Sequence, residues 1–255
     1  MIVTKTPLRV SFVGGGSDIK NYYSKYGGAV ISCTIDKYIY ITVNKKFDNK
    51  IRLVYSRTED LDLIDEIDHD IIRNTLKLLN ITNGIEITSV ADIPSKGTGL
   101  GSSSAFTVGL LHALKKFTDS SITKAELGKI SSSIEIDLCQ EPIGKQDQYA
   151  SAFGGFNLIE FLPDDSVEVH PINLSTEAAT NLEKSLMIFY TGISRNASDI
   201  LGPQSENLKN SLDAQNSMKK MVTLAYDLQK ELISNNHHVI GDILHENWML
   251  KKSIT

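Results

Sequence analysis

The chain has 255 residues, 41% of them hydrophobic, and a formal net charge of −5 at pH 7. That length suffices for one large domain or two small ones, each with its own core. The charge argues against a nucleic-acid protein, which needs a basic balance to neutralise phosphates. No apolar run is long enough to span a bilayer and no basic-then-apolar leader is present, so no membrane association is expected and the cytoplasm is the expected compartment. Cys33 and Cys139 show no CxxC spacing and the histidines form no HExxH pair, so neither a disulfide framework nor a zinc site is indicated.

In chain order, residues 3–13 have strand character interrupted at Pro7. Gly14, Gly15 and Gly16 then turn the backbone sharply ahead of Ser17 and Asp18. Such a triplet is either a plain glycine loop or a place where a sugar approaches the main chain while Asp18 accepts two hydroxyl hydrogen bonds. Residues 29–36, 38–45 and 51–55 alternate apolar and polar side chains, with a turn at 46–50, and predict a small antiparallel meander. Residues 59–70 carry seven carboxylates and read as a solvated face. Helical spacing follows over 71–79, and GIEITSV, residues 84–90, alternates like a strand.

The stretch that organises the rest is PSKGTGLGSSSA, residues 94–105. It lies between that strand and a run with helical apolar spacing through Phe106, Leu110, Leu111 and Leu114. Gly97, Gly99 and Gly101 permit backbone conformations closed to other residues, so that N–H groups converge on an anion beside the positive end of a helix dipole. A flexible Gly/Ser loop is the plain alternative. No acidic residue closes a second strand as a dinucleotide fold requires, and no Gly-Lys-Ser/Thr follows as in a Walker loop. What remains is a cradle whose hydroxyls suit phosphate oxygens or a hard cation such as magnesium.

Thr123 and Glu126 form a capping box that predicts a helix to about Cys139. It carries Glu135 and Asp137, and pattern alone does not decide which of them faces inward. Pro142 and Gly144 break this helix and place Lys145, Gln146, Asp147 and Gln148 on or beside a turn. Residues 156–161 and 167–172 predict a hairpin, and residues 185–190 a buried strand. Gly192 and Arg195 follow in a polar segment. Pro203 is expected to open a long helix to Ser234, with another reaching Lys252.

Three of these stretches resemble one family in the right order. PSKGTGLGSSSA is similar to the second motif of the GHMP small-molecule kinases, TPLRVSFVGGGSD at 6–18 to their first in its sugar-kinase form, and GKQDQYASAFGG at 144–155 to the segment with the catalytic aspartate. The Gly-Gly-Gly-Ser-Asp and Gly-Lys-Gln-Asp-Gln-Tyr forms together are most similar to the branch acting on D-glycero-D-manno-heptose 7-phosphate, with fucose kinases nearby. The resemblance implies an α+β, two-lobed GHMP fold, with a ribosomal S5 domain 2-like N-terminal lobe over residues 1–160. A ferredoxin-like C-terminal lobe, residues 161–255, is expected to be incomplete, because the family's third glycine-rich motif has no counterpart after Gln204.

By the same resemblance the chain is an ATP-dependent sugar kinase using ATP and Mg2+ on a small-molecule sugar or sugar phosphate, with no nucleic-acid or membrane partner and a homodimer left open. Asp147 faces the acceptor hydroxyl, and Arg9 lies near the transferring phosphoryl group. Lys96, Gly97, Thr98, Gly99, Leu100, Gly101, Ser102, Ser103 and Ser104 hold the nucleotide. Ser103 and Glu135 hold the metal, with Asp137 as the competitor. Gly15, Gly16, Ser17, Asp18, Lys145, Gln146, Gly192 and Arg195 meet the substrate, Arg195 alternatively being an exposed helix-start residue. The acceptor implied is the anomeric hydroxyl of a heptose 7-phosphate. A fucose- or galactose-type kinase and a silent sugar-sensing relative are the alternatives.

Overall fold

The computed structural model describes residues 1–94, 97–189, 191–192 and 197–254. Its strands and helices make it α+β, as expected, and the chain divides into two compact units.

The first unit comprises Met1–Arg9, Ile35–Pro142 and Asp147–Phe153. Strand β1 (Ile2–Val13) runs unbroken through Pro7, against expectation. Among the described residues β2 is its one strand partner, and a strand paired on one side tolerates a residue that donates no ladder bond. The predicted strands 29–36 and 38–45 are one strand, β2 (Gly28–Lys45). The expected meander is also corrected. β3 (Ile51–Val54) does not pair with β2 but lies parallel to β5 (Ile85–Ala91), which pairs antiparallel with β2 from Ile39 opposite Ala91 to Lys45 opposite Ile85. A parallel pair needs a crossover, and α2 (Asp70–Leu78) supplies it. The acidic stretch contributes β4 (Thr58–Leu61), paired antiparallel with β3, and its carboxylates form surface ion pairs such as Lys46–Asp60 and Lys77–Asp65.

The core of this unit is dictated by alternation on the strands and helical spacing on α2 and α3 (Ser102–Phe117). Ile41, Val43, Ile51, Leu53, Ile85 and Ile87 pack beneath Ile72, Leu76, Phe106, Leu110 and Leu114. The opposite face of α3 packs Val108 and Leu111 against Leu127 and Ile134. Leu127 belongs to α4 (Lys124–Ser133), whose predicted capping box is present: Glu126 N donates to Thr123 Oγ1 at 3.2 Å and Thr123 N to Glu126 Oε2 at 2.9 Å. Beyond Ser133 the helix widens into one π-type turn, Ile134–Leu138.

The second unit comprises Val10–Thr34, Ile143–Gln146 and Gly154–Thr255. The first half of β2 pairs with β6 (Phe156–Phe161), and β6 with β7 (Val167–Pro171) in the expected hairpin. Val13, Ala29, Ile31 and Leu158 pack against Leu224, Ala225, Leu228 and Leu232 of α8 (Leu212–Ile233) and Ile240 of α9 (Ile240–Ile254). Tyr22 of α1 (Lys20–Tyr26) joins Met218, Met221, Ile254 and Leu208 of α7 (Ala197–Asn210) in a second cluster.

Three expectations fail here. Residues 146–153 are a helix, α5 (Gln146–Phe153), rather than a turn. The strand expected at 185–190 is absent from its described part: α6 (Thr176–Ser185) ends there, and Leu186, Met187, Ile188 and Phe189 are exposed without a pairing neighbour among the described residues. Pro203 lies inside α7 instead of opening a helix to Ser234. The break falls at Ser211, whose hydroxyl accepts from Ala214 N at 3.2 Å and starts α8.

Leu110, on α3, is fully buried against the strand side chains of the first unit's core. Leu110→Ala is expected to lower unfolding free energy by about 2–5 kcal/mol in chemical denaturation, because the close-packed surroundings refill the cavity only partly.

Candidate active site

In the first unit the site is built around Arg9, near the middle of β1 and only 8% exposed. Its Nε and Nη2 donate to the two oxygens of Asp147 at 2.8 and 2.5 Å, and its Nη1 donates to the Gly99 carbonyl at 2.7 Å. The Arg9 amide also donates to Leu100 O, at 3.1 Å. One planar guanidinium therefore ties the glycine loop to a carboxylate in the first turn of α5. Gly101, at φ +75°, is the residue before α3, and a Cβ there would lie 3.2 Å from Asp147 Oδ2 and 3.3 Å from Arg9 Cγ. Gly97 and Gly99 also take positive φ. The loop thus leads into the N-terminus of a sixteen-residue helix, where backbone N–H groups lack intrahelical acceptors. Lys96 lies outside the described residues.

The serines divide their work. Thr98 and Ser102 hydroxyls approach to 3.4 Å, Ser104 is buried, and Ser103 Oγ donates to Glu135 Oε1 at 2.6 Å. Gln148 Nε2, from α5, donates to Glu135 Oε2 at 2.6 Å. Glu135 is fully buried, continuing the inward face of Gly128, Ser131 and Ser132 on α4, whereas Asp137 is exposed and accepts from Ser133 Oγ at 2.7 Å. Burial drives the Glu135 pKa upward against the hydrogen bonds of Ser103, Ser104 and Gln148, and the negative charge of Asp147 raises it further. A hydroxyl and a buried carboxylate in contact make a hard oxygen pair, which fits magnesium.

In the second unit the Gly14–Asp18 turn is closely cut. Gly14 and Gly16 have φ of +86° and +100°, and a Cβ on Gly14 would meet Ala29 O at 2.0 Å. Ser17, predicted to meet substrate, exchanges hydrogen bonds with the Ala29 backbone: its Oγ donates to Ala29 O and accepts from Ala29 N, both at 3.1 Å. Asp18 is 2% exposed and accepts from Gly16 N at 3.0 Å and Gln146 N at 3.1 Å. Gly144, read from sequence only as a helix breaker, is what lets this carboxylate in, since a Cβ there would lie 1.9 Å from Asp18 Oδ2. Gln146 Oε1 accepts from Ser11 Oγ at 2.9 Å. Lys145 pairs with Asp165 in the β6–β7 turn at 2.6 Å, and Gly15 presents its carbonyl to Lys251 Nζ at 2.8 Å. Gly192 has φ +73° and is exposed, and Arg195 lies outside the described residues.

Sequence reasoning missed Gln148, Gly144, Gln204 and Lys251. Gln148 stands inside a motif already singled out, one residue past Asp147. Gly144 opens that same motif, whereas Gln204 and Lys251 carry no local pattern that marks them.

Residues 69–155 match the GHMP kinases N terminal domain. A D-glycero-alpha-D-manno-heptose 7-phosphate kinase of Campylobacter jejuni is 32% identical over 273 aligned positions, covering all of this chain and 78% of the relative. A crystal structure described as a D-glycero-D-manno-heptose 1-phosphate kinase from Bacteroides thetaiotaomicron superposes with a TM-score of 0.84 at 27% identity, over 99% of this chain and 80% of that one. A Streptococcus pneumoniae phosphomevalonate kinase shares the fold, with a TM-score of 0.80 at 14% identity over 100% of this chain and 81% of that one. With the glycine loop, the Arg9–Asp147 fork and the buried Glu135 already in place, this likeness along the whole chain is decisive: it belongs to the GHMP kinase family of ATP-dependent phosphotransferases, among the sugar kinases.

Proposed function

We propose that the protein transfers the γ-phosphoryl group of ATP to the anomeric hydroxyl of a heptose 7-phosphate, yielding the 1,7-bisphosphate. The observation that carries the transfer chemistry is the Arg9 fork, which fixes Asp147 against the Gly99–Gly101 loop at the mouth of α3. Backbone amides there bind phosphate oxygens and the helix dipole favours their charge. Ser103 and Glu135 hold magnesium, which when bound neutralises charge on the phosphates. Gln148 keeps the Glu135 carboxylate aimed at Ser103. Lys96 is the further nucleotide contact.

Asp147 accepts a hydrogen bond from the acceptor hydroxyl and orients it. Both its oxygens already receive hydrogen bonds from Arg9, which hold the carboxylate in one orientation. That suits a loose phosphoryl-transfer transition state, in which the hydroxyl proton leaves late and positioning supplies most of the rate. Asp18 holds the sugar through its hydroxyls, and Arg195 meets its phosphate through a bidentate fork. The heptose acceptor is favoured by the names of the two heptose phosphate kinases and by the Gly-Gly-Gly-Ser-Asp form of the first motif.

Asp147→Asn is expected to lower kcat by about 10²–10⁴-fold in an ADP-release assay and to lower the thermal midpoint as well, since it leaves the Arg9 charge without its counter-charge, while Asn keeps one acceptor for Arg9 and the fold is retained. Wild-type turnover in this variant would contradict the role. Glu135→Gln is expected to raise the magnesium concentration for half-maximal rate at least about tenfold, read from a metal titration at saturating sugar. A panel of heptose 7-phosphate, fucose and galactose tests the acceptor. The highest kcat/KM belongs to the heptose phosphate on this reading, and preference for an unphosphorylated sugar would reassign it.

A further inference from the structure

The glycine turn ahead of Asp18 is held from behind by two side chains far along the chain. Lys251, on α9, donates from Nζ to the Gly15 carbonyl at 2.8 Å and to Gln204 Oε1 at 2.9 Å. Gln204, on α7, is 1% exposed. Its amide nitrogen lies 2.3 Å, and Lys251 Nζ 2.9 Å, from the point where a Cβ on Gly16 would stand. The empty side of Gly16 is therefore filled by an amide and an ammonium, and the other side of the same residue donates its N–H to Asp18.

Two features show that this arrangement is maintained against a cost. Gln204 Nε2 has no hydrogen-bond acceptor among the described residues, which is unfavourable for a buried amide. Flipping the amide would put its NH2 against an ammonium, so Lys251 dictates the orientation. Burial also pulls the Lys251 pKa down to about 8, although the nearby Asp18 charge works to raise it. A lysine serving only as surface solubility would bear neither burden. The path is Lys251 to the Gly15 carbonyl, through Gly16 to the Asp18 carboxylate, and each step is a hydrogen bond or a peptide bond.

We propose that Lys251, braced by Gln204, is a positioning residue for the acceptor sugar: it clamps the Gly15–Gly16 turn and thereby sets the direction of Asp18. This rests on the reading of Asp18 as an acceptor ligand. Lys251 is bonded to the turn and to Gln204, so on this reading its removal acts on acceptor binding.

The test uses the full chain, with ADP release measured against the sugar that wild type turns over best. Lys251→Met is expected to raise the acceptor KM at least tenfold while the ATP KM stays within twofold. Gln204→Leu, which leaves the ammonium in place without its brace, is expected to shift the acceptor KM in the same direction by a smaller factor. Nucleotide affinity, measured separately by titration calorimetry, reports whether each variant is folded. An unchanged acceptor KM in a Lys251→Met protein that binds nucleotide normally overturns the proposal. So does a proportional loss of both substrate affinities, which a merely structural lysine would produce. Wild-type inactivity on every sugar overturns the kinase reading itself, an outcome distinct from either.

Discussion

Arg9 is the interaction on which the first unit's chemistry depends. A guanidinium offers its donors in one rigid plane, and here two edges of that plane are assigned: one to Asp147, one to the Gly99 carbonyl. Neither partner can shift without the other being released. Because Arg9 is nearly buried and the Asp147 side chain is only 22% exposed, removing one charge strands the other in a poorly solvated place, at about 3–5 kcal/mol for a fully buried pair and less here. The absence of a side chain at Gly101 is the complement of that pairing, since the carboxylate occupies the adjacent space.

A second network depends on helical register. Leu127, Gly128, Ser131, Ser132, Ile134 and Glu135 recur on one buried face at helical spacing, which turns Glu135 inward and leaves Asp137 in solvent. The buried carboxylate then meets hydroxyl and amide donors from Ser103 and Gln148, on α3 and α5. Burial opposes its ionisation, and a bound cation would favour it. The same trade appears in the second unit, where Asp18 and Lys251 are drawn out of water to stiffen a glycine turn.

How much of this was legible followed from how local each cause is. The helix opened by the glycine loop, the Thr123 capping box and the β6–β7 hairpin are written in residues within a few positions of one another, and the structure has them where the residues put them. Helix α5 was hidden because its first turn, Gln146-Asp147-Gln148, is polar and follows a proline and a glycine, which mimics a turn. The parallel pairing of β3 with β5 is decided by a crossover through α2, which no strand pattern encodes. The choice of Glu135 over Asp137 was hidden because Ile134 and Ile136 flank Glu135 on both sides. Gly144, Gln204 and Lys251 matter only through what the fold places beside them: a carboxylate 126 positions earlier for the first, a glycine turn for the others.

The central claim is that amides and hydroxyls at residues 97–104 hold the ATP phosphates, with the metal at Ser103 and Glu135. The most direct test is a crystal structure with a non-hydrolysable ATP analogue and Mn2+, its anomalous signal locating the ion. The account predicts the triphosphate at the mouth of α3 and manganese bonded to a Glu135 oxygen. A saturating nucleotide bound elsewhere, with that loop empty, would contradict it.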